Sequence, residues 1–494
     1  MSENGGTEHC PDDSIVVTYT EVVDMSDFEV LDLAANASKT WLSELKRNHV
    51  GATDDVETLK QKLNYTFADE GLPAAQVIEQ LVEDAKNGLL GSAGGRFFAW
   101  VIGGSLPSAL AADWLTSTWE QNAALYACSP AASVIEEIAG EWIKELLDLP
   151  RESSFAFTTG CQIAHFTCLA AARSAVLKRI GWNINEDGLF SAPPIRVLSS
   201  EHRHSSVDRA IRYLGMGNKS LEALKTDEQG RIQVESLKLA LKDNSAPIIL
   251  VLNAADLNIA AFDSFAELIP IAKEAGAWVH IDGAFGLFAR ASAQKKHLLA
   301  GVEMADSWAT DGHKWLNVPF DCGIAIIRDR EAHRESMTTS ASYISSQSNA
   351  RDQIDWNPEW SRRARGIPVY AALRELGKNG VAELVERCSE HCLRLVTEIA
   401  KLPGAEMLWK PQLNQGLVRF LDTRSTARTE DHDRRTDEVI AAINASGEAF
   451  FSGVNWRGMR AMRISVVNWR TDGDDIDRAV NAAEKALESL KSSY

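Results

Sequence analysis

Short apolar segments alternate with longer helical segments through the middle of the chain, and this alternation constrains the fold more than any other feature. Four runs rich in aliphatic residues predict buried strands at 195–199, 247–252, 278–281 and 323–327. Helical runs lie between them, for example 164–179 and 264–274. Since parallel strands need crossover connections, the pattern predicts an α/β domain with a mostly parallel sheet covered on both faces.

The pattern changes on both sides of this region. Helices are predicted at 25–49 and 74–87, and strands at 417–421 and 462–467 come before a last helix at 475–492. We therefore predict an N-terminal helical arm, a large central domain and a small C-terminal α+β domain, at 1–105, 106–380 and 381–494 respectively.

Two chemically distinctive residues follow predicted strands of the central domain. Asp282 ends the run Trp278-Val-His-Ile-Asp, and Lys314 follows the strand-like residues 307–310. Side chains at such strand ends meet at the carboxyl edge of the sheet, where ligands bind. Pyridoxal 5'-phosphate needs a lysine for its Schiff base and an acid that keeps its ring nitrogen protonated. The pair therefore predicts this cofactor, although a strand-end Asp can also be only a helix cap.

Composition excludes several classes of function. The net charge of −18 argues against binding to nucleic acid or to a membrane surface. No apolar run approaches the ~18 residues that a membrane span needs, and no signal-peptide pattern begins the chain. The seven cysteines are scattered and odd in number, which favours a reducing cytoplasm over a disulfide framework.

One cluster of potential metal ligands occurs near the C-terminal third. Cys388, His391 and Cys392 lie in a helical run, and cysteines four residues apart share one face of a helix. This spacing is typical of core packing, so we predict no metal site.

Longer motifs carry a resemblance to a known family. The relevant segments are 111–117, 129–132, 204–210 and 311–319, the last reading Asp-Gly-His-Lys-Trp-Leu-Asn-Val-Pro. From about residue 96 onward the chain resembles the pyridoxal-phosphate-dependent group II amino-acid decarboxylases, which include aromatic-L-amino-acid and glutamate decarboxylases. The resemblance implies the fold of the PLP-dependent transferases (aspartate aminotransferase-like, fold type I). It also implies a homodimer in which the N-terminal arm wraps around the partner.

The resemblance assigns roles to individual residues. Lys314, Asp282 and His204 are implied as catalytic, with His204 covering the ring face and assisting proton transfer. Ala284 is implied beneath the ring. The phosphate shell is implied to comprise the start of a helix, together with hydroxyl and imidazole groups, at Gly160, Cys161, Gln162, Thr310 and His313. Cys161 and Gln162 depart from the small or hydroxylic residues that are common in the family at these two positions.

The expected activity is decarboxylation of an L-amino acid, aromatic or bulky, through a Schiff base on Lys314 and a quinonoid intermediate. An aldehyde synthase, a lyase or an aminotransferase acting on a related amino acid is the alternative, and a non-catalytic cofactor-binding protein is a more distant one. Phe97, Phe98 and Trp100 are expected either to line the substrate pocket or to belong to the core.

The polar segment 338–366 is predicted to be a long mobile loop. Aromatic-amino-acid decarboxylases carry a tyrosine in this loop that protonates the carbanion. Counting back from Trp356 places Gln353 in that position, while Tyr343 matches a preceding segment. Because an amide has no useful acidity, Gln353 leaves open whether the product is an amine or an aldehyde.

Overall fold

The structure is a computed structural model, and it describes residues 25–243, 245–338 and 351–490. Its helices are α1 Met25–Glu44, α2 Val56–Leu63, α3 Ala74–Ala85, α4 Pro107–Trp119, α5 Pro130–Leu146, α6 Cys161–Lys178, α7 Ile184–Asp187, α8 Ser205–Tyr213, α9 Val234–Ala240, α10 Phe265–Glu274, α11 Arg330–Met337, α12 Gly366–Ala400, α13 Thr429–Ser446 and α14 Gly473–Ser489. Its strands are β1 Ser154–Thr158, β2 Arg196–Ser200, β3 Leu221–Leu224, β4 Ile248–Asn253, β5 Trp278–Asp282, β6 Ser307–Asp311, β7 Gly323–Ile327, β8 Ala405–Trp409, β9 Gln415–Phe420, β10 Ser452–Trp456 and β11 Met459–Ser465.

A seven-stranded sheet forms the centre of the larger part of the chain. Its strand order is β1-β7-β6-β5-β4-β2-β3, and only β7 runs antiparallel to its neighbours. Strands β1, β4, β5, β6 and β7 are buried along their whole length, as expected when helices cover both faces of a sheet. The predicted mostly parallel sheet is therefore confirmed, and the strand predicted at 323–327 has the observed bounds.

The C-terminal part contains a smaller, fully antiparallel sheet in the order β10-β11-β9-β8. It follows α12, whose helical conformation is broken at Gly377, where φ is +59°. This left-handed conformation favours glycine. The break lies close to the predicted domain boundary at 380, but the division into three domains stays a prediction.

Two compact units can be distinguished by their internal contacts. One comprises the described residues up to 44 together with 54–89, and the other comprises 45–53 and the chain from Leu90 onward. The first unit contains the helices predicted at 25–49 and 74–87, and it also contains α2, which was not predicted. Its helices leave large apolar side chains exposed, including Leu31, Leu81 and Phe28.

The segment predicted to be a long loop is only partly described. Tyr343 lies outside the described residues. Residues 351–365 contain no regular element beyond a short turn of 3-10 helix at Gln353–Asp355, and several of their side chains are packed inside the protein. The predicted mobility of the loop stays a prediction. Gln353, Asn357 and Arg362 are all buried, and Arg362 forms an ion pair with Glu136 inside the protein. Among the described helices, none is long and apolar enough to cross a membrane.

Candidate active site

The register of the large sheet brings the ends of three strands together. Asp282, the last residue of β5, pairs with Asn253 at the end of β4 and with Ala309 in β6. A cavity of about 270 Å³ opens at this edge. It is lined by Gly160, Cys161, Gln162, His202, His204, Ser206, Asn253, Ala255, Asp256, Leu257, Asp282, Ala284, Phe285, Asp311, His313 and Lys314. Eight of the nine predicted site residues therefore line one cavity.

Lys314 lies three residues beyond β6 and is held by a carboxylate. Its Nζ atom is 2.9 Å from Oδ2 of Asp311. Burial lowers the pKa of Lys314, but nearby acidic groups, Asp311 first among them, together raise it above its ordinary value. In this structure the amine is therefore a paired ammonium group.

Asp282 is a buried carboxylate that keeps its charge. Burial acts to raise the pKa of Asp282, but His165, with His204 and Lys314 across the cavity, lowers it well below its usual range. One carboxylate oxygen accepts the backbone N–H of Ala284 at 3.2 Å, and the other lies 3.5 Å from Nε2 of His165. Such an acid can hold a protonated ring nitrogen by a charge-assisted hydrogen bond.

His204 stands at the N-terminus of α8 with its ring open to the cavity. Its Nδ1 atom accepts the backbone N–H of Ser206 at 3.2 Å, so the proton of a neutral ring resides on Nε2. The surrounding protein lowers the pKa of His204 through desolvation, which favours the neutral ring at neutral pH. A flat, neutral imidazole in this position is suited to stacking on an aromatic ring.

The turn between β1 and α6 contains the residues at which a phosphate site was predicted. Gly160 precedes the first residue of α6 with φ of +155°, and Gly323 of β7 packs directly against it. A Cβ atom at Gly323 would lie only 2.2 Å from the carbonyl carbon of Gly160, so the close approach requires glycine at 323, while the positive φ favours glycine at 160. The helix N-terminus favours negative charge, and Asp311 already uses it by accepting the N–H of Cys161 at 2.6 Å.

Polar side chains extend this anion site. Gln162 accepts a hydrogen bond from Arg209 of α8 through Oε1 at 3.2 Å, which leaves its amide N–H groups available as donors. The ring of His313 packs against Phe320, with 4.5 Å between centroids, and its Nδ1 accepts the N–H of Cys322. Burial lowers the pKa of His313, so it can donate through Nε2 without carrying a charge.

The structure places several predicted residues elsewhere. Thr310 does not line the cavity, since it is fully buried and its hydroxyl faces the carbonyl oxygen of Ala284. Phe97 and Phe98 belong to the core, where they stack on Phe450 and Phe451 with 5.2 Å between centroids in each pair. Gln353 is fully buried and is absent from the described cavity wall.

Other residues of the site were not predicted. Asp311 stands within the Lys314 motif, but its contact with the start of α6 becomes visible only in three dimensions. Cys161, His165 and Asp282 offer ligand atoms within 4.8 Å of one another. Burial raises the pKa of the Cys161 thiol well above its ordinary value, which disfavours the thiolate that a metal would require. The absence of a metal site stays a prediction.

The chemistry of the donor set fits pyridoxal phosphate. The cavity combines a lysine for the aldehyde, a charged carboxylate for the ring nitrogen, a neutral imidazole for the ring face and a helix N-terminus for the phosphate. Cys161 itself is no nucleophile because its thiol is neutral and buried. His202, Asn253, Phe285 and Asp256 were not predicted, and they also line the cavity.

Comparison with known proteins agrees with this chemistry. Residues 57–421 match the sequence model described as the pyridoxal-dependent decarboxylase conserved domain. An aromatic-L-amino-acid decarboxylase of Bacillus atrophaeus is 26% identical over 464 residues, which cover 92% of this chain and 94% of that protein. A 4-hydroxyphenylacetaldehyde synthase of Rhodiola rosea is 25% identical over 414 residues, covering 80% and 82% of the two chains.

Solved structures establish the fold independently of sequence. The structure of Oryza sativa TDC with PLP and tryptamine superimposes with a TM-score of 0.89 at 20% identity, covering 96% of this chain and all of that chain. The predicted PLP-dependent transferase fold is thereby confirmed, and the family match confirms the predicted cofactor and enzyme class. The chain belongs to the pyridoxal-dependent decarboxylase family, and its activity is the decarboxylation of an amino acid with pyridoxal phosphate as cofactor.

Proposed function

We propose that the chain decarboxylates an aromatic or otherwise bulky L-amino acid, with Lys314, Asp282 and His204 as its catalytic residues. The observation that carries this assignment is that all three side chains line one cavity at the carboxyl edge of the sheet. The walls formed by Phe285 and Leu257 supply apolar surface for a large side chain. The similarity to an aromatic-L-amino-acid decarboxylase supports the same substrate class.

Each residue has a distinct task in holding the cofactor. Lys314 would bond to its aldehyde carbon, Asp282 would accept a hydrogen bond from its protonated ring nitrogen, and His204 would cover the ring. The start of α6, with Gln162 and His313, would hold the phosphate. When bound, pyridoxal phosphate supplies an electron sink for the pair released as the bond between Cα and the carboxylate breaks.

Loss of carbon dioxide leaves Cα in need of a proton, and the charge states of the residues indicate a donor. The pKa of His204 is lowered by burial, so little of its ring is protonated at neutral pH. The pKa of Lys314 is raised by Asp311 after the opposing effect of burial, so a released Lys314 carries a proton on Nζ. We infer that Lys314 is the better proton donor to Cα.

A second outcome is favoured by the similarity to an aldehyde synthase. In that reaction the amino acid, oxygen and water give the aldehyde, carbon dioxide, ammonia and hydrogen peroxide, so that each turnover consumes one oxygen. Simple decarboxylation gives only the amine and carbon dioxide. Oxygen consumption therefore separates the two reactions.

A substrate panel tests the proposal. The purified holoenzyme is incubated with each of the twenty amino acids, and carbon dioxide, amine, aldehyde and peroxide are measured by mass spectrometry and coupled assays. We expect turnover with aromatic or bulky substrates and none for Lys314→Ala. Borohydride reduction followed by peptide mapping should place a pyridoxyl group on Lys314. A label on another lysine, or a preference for small acidic substrates, would contradict the proposal.

We also propose a cytoplasmic homodimer. The resemblance to dimeric decarboxylases and the exposed apolar side chains of α4, among them Trp114, Leu115 and Trp119, support the assembly. Sedimentation at micromolar concentration should give about twice the 54.2 kDa mass of the chain. A fully active monomer would disprove this part of the proposal.

A further inference from the structure

Behind Asp282 a chain of buried polar groups leads away from the cavity. Nε2 of His165 lies 3.5 Å from the carboxylate, and Nδ1 of His165 lies 2.8 Å from Nε2 of His280. Nδ1 of His280 lies 2.9 Å from Oγ of Ser307, and this oxygen accepts the indole N–H of Trp278 at 3.0 Å. All four residues behind the carboxylate are at most 1% exposed.

One direction of hydrogen bonding along this chain provides Asp282 with a side-chain donor. An indole N–H can only donate, so Ser307 accepts from Trp278, and its own hydroxyl proton can be donated to Nδ1 of His280. With that orientation His280 donates from Nε2 to His165, and His165 donates from its own Nε2 to Asp282. This orientation is part of the proposal below, since a serine oxygen can also accept from both Trp278 and His280.

We propose that His165 is a positioning residue for Asp282, and that its N–H, fixed by His280 and Ser307, keeps the carboxylate charged and oriented towards the cofactor ring nitrogen. This inference rests on the proposed role of Asp282 as the partner of the ring nitrogen. It adds His165, His280 and Ser307 as the residues that support Asp282 in that role. It explains why two fully buried histidines stand in line behind Asp282.

The role of Asp282 depends on whether its carboxylate carries a proton. A buried carboxylate without donors takes up a proton, because desolvation disfavours its charged form. A protonated Asp282 could not stabilise a protonated ring nitrogen. The titratable groups around His165 are Cys161 on its own helix and Asp282 and His280 from β5, with His204 and Lys314 across the cavity. Among these, His165 is the only one whose ring nitrogen contacts both Asp282 and a second imidazole.

The test compares two substitutions at position 165 in the holoenzyme. His165→Leu removes the donor, whereas His165→Gln can still donate an amide N–H to Asp282 and accept from His280. The enzyme is loaded with cofactor labelled with ¹⁵N at the ring, and solid-state NMR follows protonation of that nitrogen against pH. We expect the midpoint to fall by about one unit or more in His165→Leu, a tenfold change, and to stay near native in His165→Gln.

Three further proteins make the outcome decisive. His280→Leu should produce a smaller shift in the same direction, because His165 loses the partner that fixes its tautomer. His333→Gln is the matched control, since His333 is equally buried and bonded to a serine, Ser154, but lies outside the cavity wall. Asp282→Asn tests whether Asp282 is the partner of the ring nitrogen. If the midpoint shifts in Asp282→Asn but not in His165→Leu, this inference alone is overturned. If the midpoint shifts in neither variant, the role of Asp282 itself is refuted.

A direct measurement covers the case in which His165→Leu does not fold. Native holoenzyme labelled with ¹⁵N-histidine should show His165 and His280 both protonated at Nε2 and unprotonated at Nδ1. Protonation of His165 at Nδ1 alone would reverse the chain and would overturn the proposal, because Asp282 would then lack its donor.

Discussion

Asp311 joins the lysine of the site to the first turn of α6. One of its carboxylate oxygens lies 2.9 Å from Nζ of Lys314, and the other accepts the N–H of Cys161 at 2.6 Å. The same carboxylate therefore contacts both the amine proposed to bond to the cofactor and the helix terminus proposed to receive the phosphate. Formation of a bond at Nζ would require the ion pair with Asp311 to open.

The first prediction concerns this ion pair. Burial lowers the pKa of Lys314 and Asp311 is the main group that raises it, so Asp311→Asn should lower the pKa of Lys314. Only the unprotonated amine attacks the aldehyde. The rate at which the apoenzyme takes up pyridoxal phosphate, followed by absorbance, should thus reach half its maximum at a lower pH. Asp321→Asn, which removes a carboxylate paired with Arg365, is the control and should leave this midpoint in place.

The second prediction concerns Asp282. Asp282→Asn removes the charge that stabilises a protonated ring nitrogen, so kcat should fall at least about a hundredfold. The cofactor should still bind, because Lys314 and the phosphate site are intact. Cofactor content is measured by absorbance and kcat by amine release. Near-normal turnover in a fully loaded variant would show that Asp282 is not the partner of the ring.

The sequence predicted the parts of the site that follow from strand ends and contiguous motifs. Asp282 and Lys314 were recognisable because each comes directly after an apolar strand. His165 was not, because it lies in an apolar helix and its partner His280 is distant in sequence. The contacts of His165 with Asp282 and His280 arise only because α6 packs against β5. The role of Gln353 stays a prediction, because a single sequence cannot fix the register of an irregular segment.

The third prediction concerns Gln353. Gln353 is fully buried and lies outside the cavity wall, so Gln353→Tyr inserts a larger side chain into packed surroundings. We expect it to destabilise the protein by about 1–3 kcal/mol and to leave the ratio of amine to aldehyde unchanged. Both products are measured with oxygen present and excluded. A rise in the amine fraction would instead place residue 353 within reach of the substrate.

The fourth prediction concerns the ion pair beneath the same segment. Nη1 of Arg362 lies 3.0 and 2.9 Å from the two carboxylate oxygens of Glu136, and neither side chain is more than 1% exposed. Arg362→Met leaves a buried charge unpaired and should reduce the free energy of unfolding by about 3–5 kcal/mol. The double variant with Glu136→Gln should lose less than the sum of the two single changes, as measured by urea unfolding. Strict additivity would show that the two charges do not interact.

The last prediction concerns stability in mild acid. His333 is fully buried, with Nε2 donating to the carbonyl of Trp356 and Nδ1 facing Ser154, and burial lowers the pKa of His333 to about 3. In the unfolded chain its pKa is near 6.5, so between these values the unfolded state binds a proton that the folded state does not. The contribution to stability is therefore complete above pH 6.5 and is lost as the pH falls towards 3. At pH 5 the loss is about 2 kcal/mol.

His333→Gln, which cannot titrate, should be less stable than the native protein at pH 7.5 but should lose about 2 kcal/mol less on going to pH 5. Urea unfolding at the two pH values measures this difference, and equal losses in both proteins would mean that His333 already carries a proton in the folded state or stays neutral in the unfolded one.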